Sequence, residues 1–283
     1  MSARNLAERF GLRRVGREWR GRCPACGYAA FVLTERDGRA LWWCASCQDG
    51  DAITAAVRDT DHAVSPPRES VEPARPTPTP QQRREWAGRL WADARPAAGT
   101  LVETYLRARG ISGPIPDALR FLPDCKHASG VRLPAMVAAI VDAEGALTAV
   151  HRTYLRRDGT GKAAVEPAKA TLGPISGSVI RLHPATTELV IAEGIETALS
   201  ASILFGLPAW SAIAAGNLSR IALPTGVRAV VIAADPDPPG QREAELAAER
   251  WKAEGRHVRI ATPDDPEKDF NDLLRERAEV PHA

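Results

Sequence analysis

The sequence predicts an α/β protein in three parts: a small cysteine-held module, a basic α+β segment, and a mainly parallel, Rossmann-like sheet covered by helices. Three observations predict it. Four cysteines, Cys23, Cys26, Cys44 and Cys47, fall as C-x2-C, seventeen residues, then C-x2-C. Six prolines follow between positions 66 and 80 with almost no large apolar residue around them, a composition that makes a semi-rigid linker and no core. From residue 188 onward, apolar runs of strand length alternate with helical stripes, the pattern of a parallel sheet buried on both faces. The chain therefore divides into 1–60, a linker at 61–82, an α+β region at 83–187 and the α/β region at 188–283.

Two thiolate pairs at this spacing offer four sulfur ligands from two tight turns, with a hairpin between them long enough to close the set. That is a zinc ribbon. A closed four-thiolate site has no open coordination position, so this zinc builds a module and does no chemistry. Cys125, alone in LPDCKH, reads as a packed or surface thiol and not as a nucleophile. After Cys47, GDAITAAV reads as a short helix capped by Asp51.

Net charge is +2, and its distribution says more than its sum. Residues 1–22 carry seven arginines against two glutamates, residues 83–182 fifteen basic against nine acidic side chains, and residues 183–283 ten against sixteen. A basic front and middle with an acidic back suit a protein that grips a polyanion with one part and holds divalent cations with another. No run of eighteen apolar residues occurs, and the start MSARNLAERFGLRR has no apolar stretch of signal-peptide type. The expectation is a cytoplasmic protein that neither spans a membrane nor is secreted, which also suits reduced, zinc-binding cysteines.

Along the second region, RREWAGRLWADA carries a helical stripe from about 83, and GTLVETYLRARG is a second helix closed by Gly110. PAMVAAIVDAEGALTAVHRTYLRRDGTGKA reads as a meander with turns at Glu144–Gly145 and Asp158–Gly159, and SGSVIRL adds a short strand. In the third region the order is strand ELVIAEG, helix IETALSASILFG, strand and loop PAWSAIAAG and short helix NLSRIALP. Strand VRAVVIAAD, helix EAELAAERWKAEG, strand HVRIATP and helix KDFNDLLRERA complete it. Ligands of such sheets bind beyond the carboxyl ends of the strands. The acids sit there: Glu193 ends the first strand, Asp235 and Asp237 follow the third, and Asp269 comes after the fourth. Carboxylates gathered in this way repel unless a cation binds, and hard divalent ions such as magnesium or manganese prefer oxygen ligands. Gly194 and Gly240 lie beside the acids, where backbone could approach a phosphate closely.

On these motifs the chain resembles the Toprim domain shared by bacterial-type primases, topoisomerases and certain nucleases. LVIAEGIETAL is similar to its first strand, which puts the family's glutamate at Glu193. VVIAADPDPPGQREA is similar to its D-x-D strand, at Asp235 and Asp237, and KDFNDLL resembles the accessory acidic segment of primases, with Asp269 and Asp272. Asn271 stands where primases often carry another acid. RCPACG and LWWCASCQDGDAI resemble a primase zinc-binding domain, and 83–187 resembles the small basic subdomain that precedes Toprim in primases. The resemblance implies Mg2+ or Mn2+ held by these carboxylates, Glu193 as ligand or proton-transfer group, and phosphate contacts from Arg152, Lys162 and Lys169.

The activity so implied is a DNA primase: template-directed synthesis of short RNA primers from NTPs on single-stranded DNA, by two-metal nucleotidyl transfer, in phage or plasmid DNA replication. Trp42 and Trp43 next to Cys44 are candidates to stack on template bases, a contact worth about 1–3 kcal/mol per base. Since strand neighbours face opposite sides, at most one of them meets DNA. No P-loop G-x-x-x-x-G-K-[ST] is present, so any replicative helicase is expected to be a separate protein. Two other classes compete: a non-catalytic loading factor of the recombination-mediator type, and a Toprim nuclease. A topoisomerase needs a tyrosine on a DNA gate, whereas Tyr28, Tyr105 and Tyr154 fall in the ribbon and the small middle region.

Overall fold

A computed structural model describes residues 3–16, 18–36, 38–45, 49–58 and 78–279. Cys47 and most of the proline-rich linker lie outside the described residues. The chain forms two compact units, Met1–Thr77 and Pro78–Ala283.

The first unit is an antiparallel meander flanked by helices α1 (Ala3–Arg9) and α2 (Gly50–Arg58). Its strands are β1 (Arg13–Val15), β2 (Glu18–Gly21), β3 (Phe31–Arg36) and β4 (Arg39–Cys44), hydrogen-bonded in that order. Alternation decides its faces. Phe31, Leu33 and Cys44 point into a core with Leu6, Ile53 and Val57, while Leu41 and Trp43 stand exposed on the other face. The start of α2 is capped by Asp49, whose Oδ1 accepts from Ala52 N at 2.9 Å. Asp51, expected to be the cap, lies in the first turn instead.

The second unit begins with α3 (Pro80–Asp93), which starts at Pro80 rather than 83. Thr79 and Gln82 form a capping box around a proline in the first turn, a combination that satisfies otherwise orphaned N–H groups. Next come β5 (Arg95–Pro96) and α4 (Leu101–Ala108), followed by β6 (Leu119–Lys126), β7 (Arg132–Val141), β8 (Leu147–Tyr154) and β9 (Lys169–Leu172). These five strands form one antiparallel sheet in the order β5-β6-β7-β8-β9. At the β7–β8 turn Gly145 adopts φ 87°, and Asp142 Oδ1 accepts from Ala146 N.

A second five-stranded sheet contains β10 (Ile180–Arg181), β11 (Glu188–Ala192), β12 (Ala209–Ser211), β13 (Ala229–Ala233) and β14 (His257–Ala261) in the order β10-β12-β11-β13-β14. All its pairings are parallel except β10–β12. Its helices are α5 (Ile195–Phe205), α6 (Ala215–Leu218), α7 (Pro238–Ala253) and α8 (Phe270–Glu279). The central strands bury both faces: Val190, Ala192, Val231 and Ala233 join a core with α5, α8 and the first sheet, while Leu189, Ile191, Val230 and Ile232 join a core with α7. This is why residues 189–192 and 229–233 are apolar at every position. No helix among the described residues is long and apolar enough to cross a membrane.

Candidate metal and nucleotide cleft

Parallel pairing of β11 with β13 puts Ala192 opposite Ala233, on strands that run about 4.8 Å apart. The residues that leave these strands are Glu193 and, two positions on, Asp235, so the topology alone brings the first two acidic motifs side by side. They line a cleft of about 290 Å³ together with Asp269 from the segment before α8. Arg109, Lys162 and Lys169 line the same cleft. The acids come from residues 188–279 and the bases from the segment before them.

The acidic half is electrostatically strained. Burial, and then the charges of Asp235 and Asp237, push the Glu193 carboxyl up to about 7; Lys169 pulls the other way. Burial, followed by Asp237 and Asp269, pushes Asp235 up to about 6. Among the described residues no cation pairs with either group within ion-pair distance. Half-buried, mutually repelling oxygens without a counter-charge fit a hard divalent cation.

Asp237 has a second duty. It is the N-cap of α7, its Oδ1 accepting from Gly240 N at 2.7 Å. A Cβ on Gly240 would lie 2.8 Å from that oxygen and 3.0 Å from Asp235 O, so this glycine serves the Asp235–Asp237 turn itself. Asp269 and Asp272 cap α8 reciprocally: Asp269 Oδ1 accepts from Asn271 N and Asp272 N, and Asp272 Oδ2 accepts from Asp269 N. Asp269 faces the cleft, whereas neither Asp272 nor the exposed Asp237 is among the residues that line it. Asn271 is fully buried. It donates to Arg109 O at 2.7 Å and Ser200 Oγ at 3.0 Å, which ties α8 to α5 and to the end of α4.

The basic half is organised around a residue that sequence reasoning missed. Glu196, in the first turn of α5, is buried. Its Oε1 accepts from Tyr105 Oη at 2.5 Å and its Oε2 from Lys169 Nζ at 3.2 Å, with Lys162 Nζ 3.7 Å from Oε1. Burial raises its carboxyl, but Lys169, Lys162 and Tyr105 outweigh that and hold it far below the usual carboxylate range. His151 also lines the cleft, with Nδ1 2.9 Å from Thr171 Oγ1. Burial and then Lys169 push its pKa down to about 3, so the ring is neutral. A lone glutamate in the first turn of a helix reads from sequence as a favourable partner of the helix dipole, and Arg109 in LRARG as an ordinary last-turn cation. Neither carries a sequence signal of its site.

Of the three phosphate candidates, Lys162 and Lys169 meet in this cleft and Arg152 does not. In the β8–β9 register Arg152 pairs with Ala170 and Thr153 with Lys169, which puts Arg152 on the opposite face, over the Tyr154 ring and beside Cys125. Cys125 is buried, and burial raises its thiol pKa.

In the first unit the sulfurs of Cys23, Cys26 and Cys44 all lie within 4.8 Å of one another, with Cys26 and Cys44 Sγ atoms 3.7 Å apart. Two sulfurs on zinc bonds of about 2.3 Å at a tetrahedral angle sit about 3.8 Å apart, whereas a disulfide needs about 2.05 Å. The set can hold a metal ion. Trp42 packs on the core and donates from Nε1 to Thr54 Oγ1 at 3.3 Å. Trp43 is 54% exposed.

The acid pair makes stability depend on pH. Glu193 and Asp235 bind protons more tightly in the folded chain than in the unfolded one. Their contribution is therefore fully present below about pH 4 and is lost as pH rises through about 6 and 7. His151, whose lowered pKa gives the opposite slope below about pH 6.5, offsets part of this. The two carboxyls outweigh it, so without divalent cations the melting temperature of the second unit is expected to fall between pH 5 and pH 8. Adding MgCl2 should restore it more at pH 8 than at pH 5, because protons compete with the metal; scanning calorimetry checks both.

Comparison with known proteins places two parts of the chain. Residues 81–182 match the family model described as a domain of unknown function (DUF7146), and residues 188–279 match the model described as the Toprim domain. Among solved structures, a DNA primase domain from Pseudomonas aeruginosa overlaps with a TM-score of 0.46 at 15% identity, covering 69% of this chain and 74% of that one. The zinc-binding and RNA polymerase domains of the Aquifex aeolicus primase overlap at 0.46 and 14%, covering 98% and 80%. The primase fragment of the bacteriophage T7 primase-helicase protein overlaps at 0.42 and 16%, covering 92% and 98%. By its family match and by the parallel sheet that carries Glu193 and Asp235 to one cleft, the C-terminal part of this chain, residues 188–279, is a Toprim domain.

Proposed function

We propose that the protein is a primase-type nucleotidyltransferase that joins NTPs into short RNA on a single-stranded DNA template. The observation that carries this reading is the division of one cleft into an acidic wall, Glu193, Asp235 and Asp269, and a basic wall, Lys162, Lys169 and Arg109. Joining nucleotides needs both: oxygens for divalent cations, and cations for the triphosphate. On this reading Asp235, Asp237 and Asp269 hold Mg2+ or Mn2+, while Asp272 supports the helix that carries Asp269. What such ions supply when bound is activation of the 3′-hydroxyl and neutralisation of the leaving pyrophosphate. Lys162, Lys169 and Arg109 receive phosphate oxygens and orient the triphosphate for in-line attack. Glu193 either completes the metal ligand set or takes the hydroxyl proton.

In the first unit, Cys23, Cys26 and Cys44, with Cys47 as the fourth ligand, hold structural zinc. Trp43 is the aromatic side chain available to stack on a template base. The test is incubation of the purified chain with single-stranded DNA, labelled NTPs and Mg2+. Short labelled products support the proposal. Shortened DNA without new product would identify a nuclease, and no change to either strand or nucleotide would leave a DNA-binding factor.

A further inference from the structure

The lysines of the basic wall have long, flexible stems, and half-buried carboxylates stand across the same cleft. Lys169 already acts on both Glu193 and Asp235, lowering each carboxyl against the effect of burial. An ammonium on four methylenes can swing to the nearest uncompensated anion. If it did so here, it would occupy the oxygens a divalent cation needs. Something must hold it back.

We propose that Glu196 is a positioning residue: it anchors the ammonium groups of Lys162 and Lys169 on its own two oxygens and so keeps the Glu193–Asp235 wall open to a divalent cation. Each oxygen has its own lysine, Oε2 with Lys169 at 3.2 Å and Oε1 with Lys162 at 3.7 Å. Tyr105, reaching from α4, fixes the carboxylate by donating to Oε1. The three partners come from α4, the loop after β8, and β9, so the anchor sets their spacing across separate elements. Stability alone is a poor reason for the arrangement, since buried ion pairs cost about as much in desolvation as they return. Two ammonium groups on one carboxylate leave one positive charge uncompensated, and Arg109 adds another along the same wall.

The inference rests on the cleft reading given above, and direct cation binding tests the two separately. Mn2+ is titrated into the full-length chain at pH 7.5 and followed by electron paramagnetic resonance, with Asp235→Asn/Asp237→Asn setting the background. The wild type is expected to bind above that background. Glu196→Gln keeps the shape and an acceptor for Tyr105 but removes the charge, and should weaken Mn2+ binding roughly tenfold or more as Lys169, the lysine that already acts on both acids, falls onto the acidic wall. Glu196→Gln/Lys169→Gln removes the intruder as well, and should return affinity to within about threefold of wild type. Charge balance alone would give some rescue on loss of any nearby cation, so Glu196→Gln/Arg109→Gln is the control. Arg109 lines the same wall without pairing to Glu196 among the described contacts. The anchor predicts a much smaller recovery there, and a recovery equal to that of the Lys169 double variant overturns it.

Unchanged affinity in Glu196→Gln, or weakened affinity that the second substitution does not restore, overturns the inference while the cleft reading stands. A wild type that binds no more Mn2+ than the Asp235/Asp237 variant overturns the cleft reading and the inference with it. Should Glu196→Gln lose its melting transition, the double variant is compared with wild type directly. Wild-type affinity in a folded double variant supports the anchor, and weak affinity refutes it.

Discussion

The double variant Asp235→Asn/Asp237→Asn is expected to make no primer and yet to melt at a higher temperature than the wild type in magnesium-free buffer. Both effects come from the same charges. Amides keep the shape of the turn, and Asn at position 237 still caps α7 through its side-chain oxygen, so the fold survives. With the charges gone, Glu193 loses two of the groups that raise its carboxyl. The repulsion they impose costs on the order of 1–3 kcal/mol above neutral pH, since each tenfold change in a proton-binding equilibrium is about 1.4 kcal/mol. Its relief corresponds to a rise of several degrees in a domain of this size. Synthesis should fall at least about a thousandfold, since loss of one preorganised electrostatic group commonly costs about 10²–10³. A melting temperature that drops would mean the aspartates stabilise the fold, and the strained-cleft account would be wrong. On the proposed reading, binding of single-stranded DNA should change little in the same variant, since neither aspartate is assigned to the template.

Metal removal is expected to unfold the first unit and spare the second. The core of the first unit is small and counts Cys23 and Cys44 among its buried members, too little for so short a module without a staple. Metal binding to four thiolates contributes about 10–16 kcal/mol of apparent folding free energy at neutral pH. The large cores of the second unit are built among residues 97–274. After treatment with a strong chelator, limited proteolysis read by mass spectrometry should degrade residues up to about 58 and leave a resistant fragment from about Pro78 onward. Cys44→Ser should give the same pattern without chelator. Survival of the N-terminal segment in both cases would show that sulfur ligation does not hold this unit together.

Much of the fold was legible because local signals agreed with the tertiary outcome. The βα alternation, the closure of α4 near Gly110 and of α5 at Gly206, and the turns at Gly145 and Gly159 all stand where pattern and glycine placed them. The departures have specific causes. β6 escapes a reading of the sequence because Pro123 argues against a strand interior; it is tolerated because the β6–β7 register shifts between Leu122 and Cys125, a bulge. β9, only Lys169–Leu172, is a strand because β8 offers it an edge. The helix read from Glu243 begins at Pro238, since prolines fit the first turn once Asp237 has capped it. The short helix sought in NLSRIALP is earlier, at Ala215–Leu218.

What the sequence determined by itself was the chemistry available: the cysteine spacing, and acids just past the ends of apolar strands in an order that resembles a known family. Residue type and linear spacing suffice there because a strand end and a tight turn fix where the next side chain goes. Only the tertiary structure decided which cations face those acids. Lys162, Lys169 and Arg109 reach the cleft and Arg152 does not, because β-sheet register turns neighbouring residues to opposite faces. Glu196 became an anchor only when α4, β9 and α5 met, since a pairing between residues 27 to 91 positions apart leaves no trace in local periodicity.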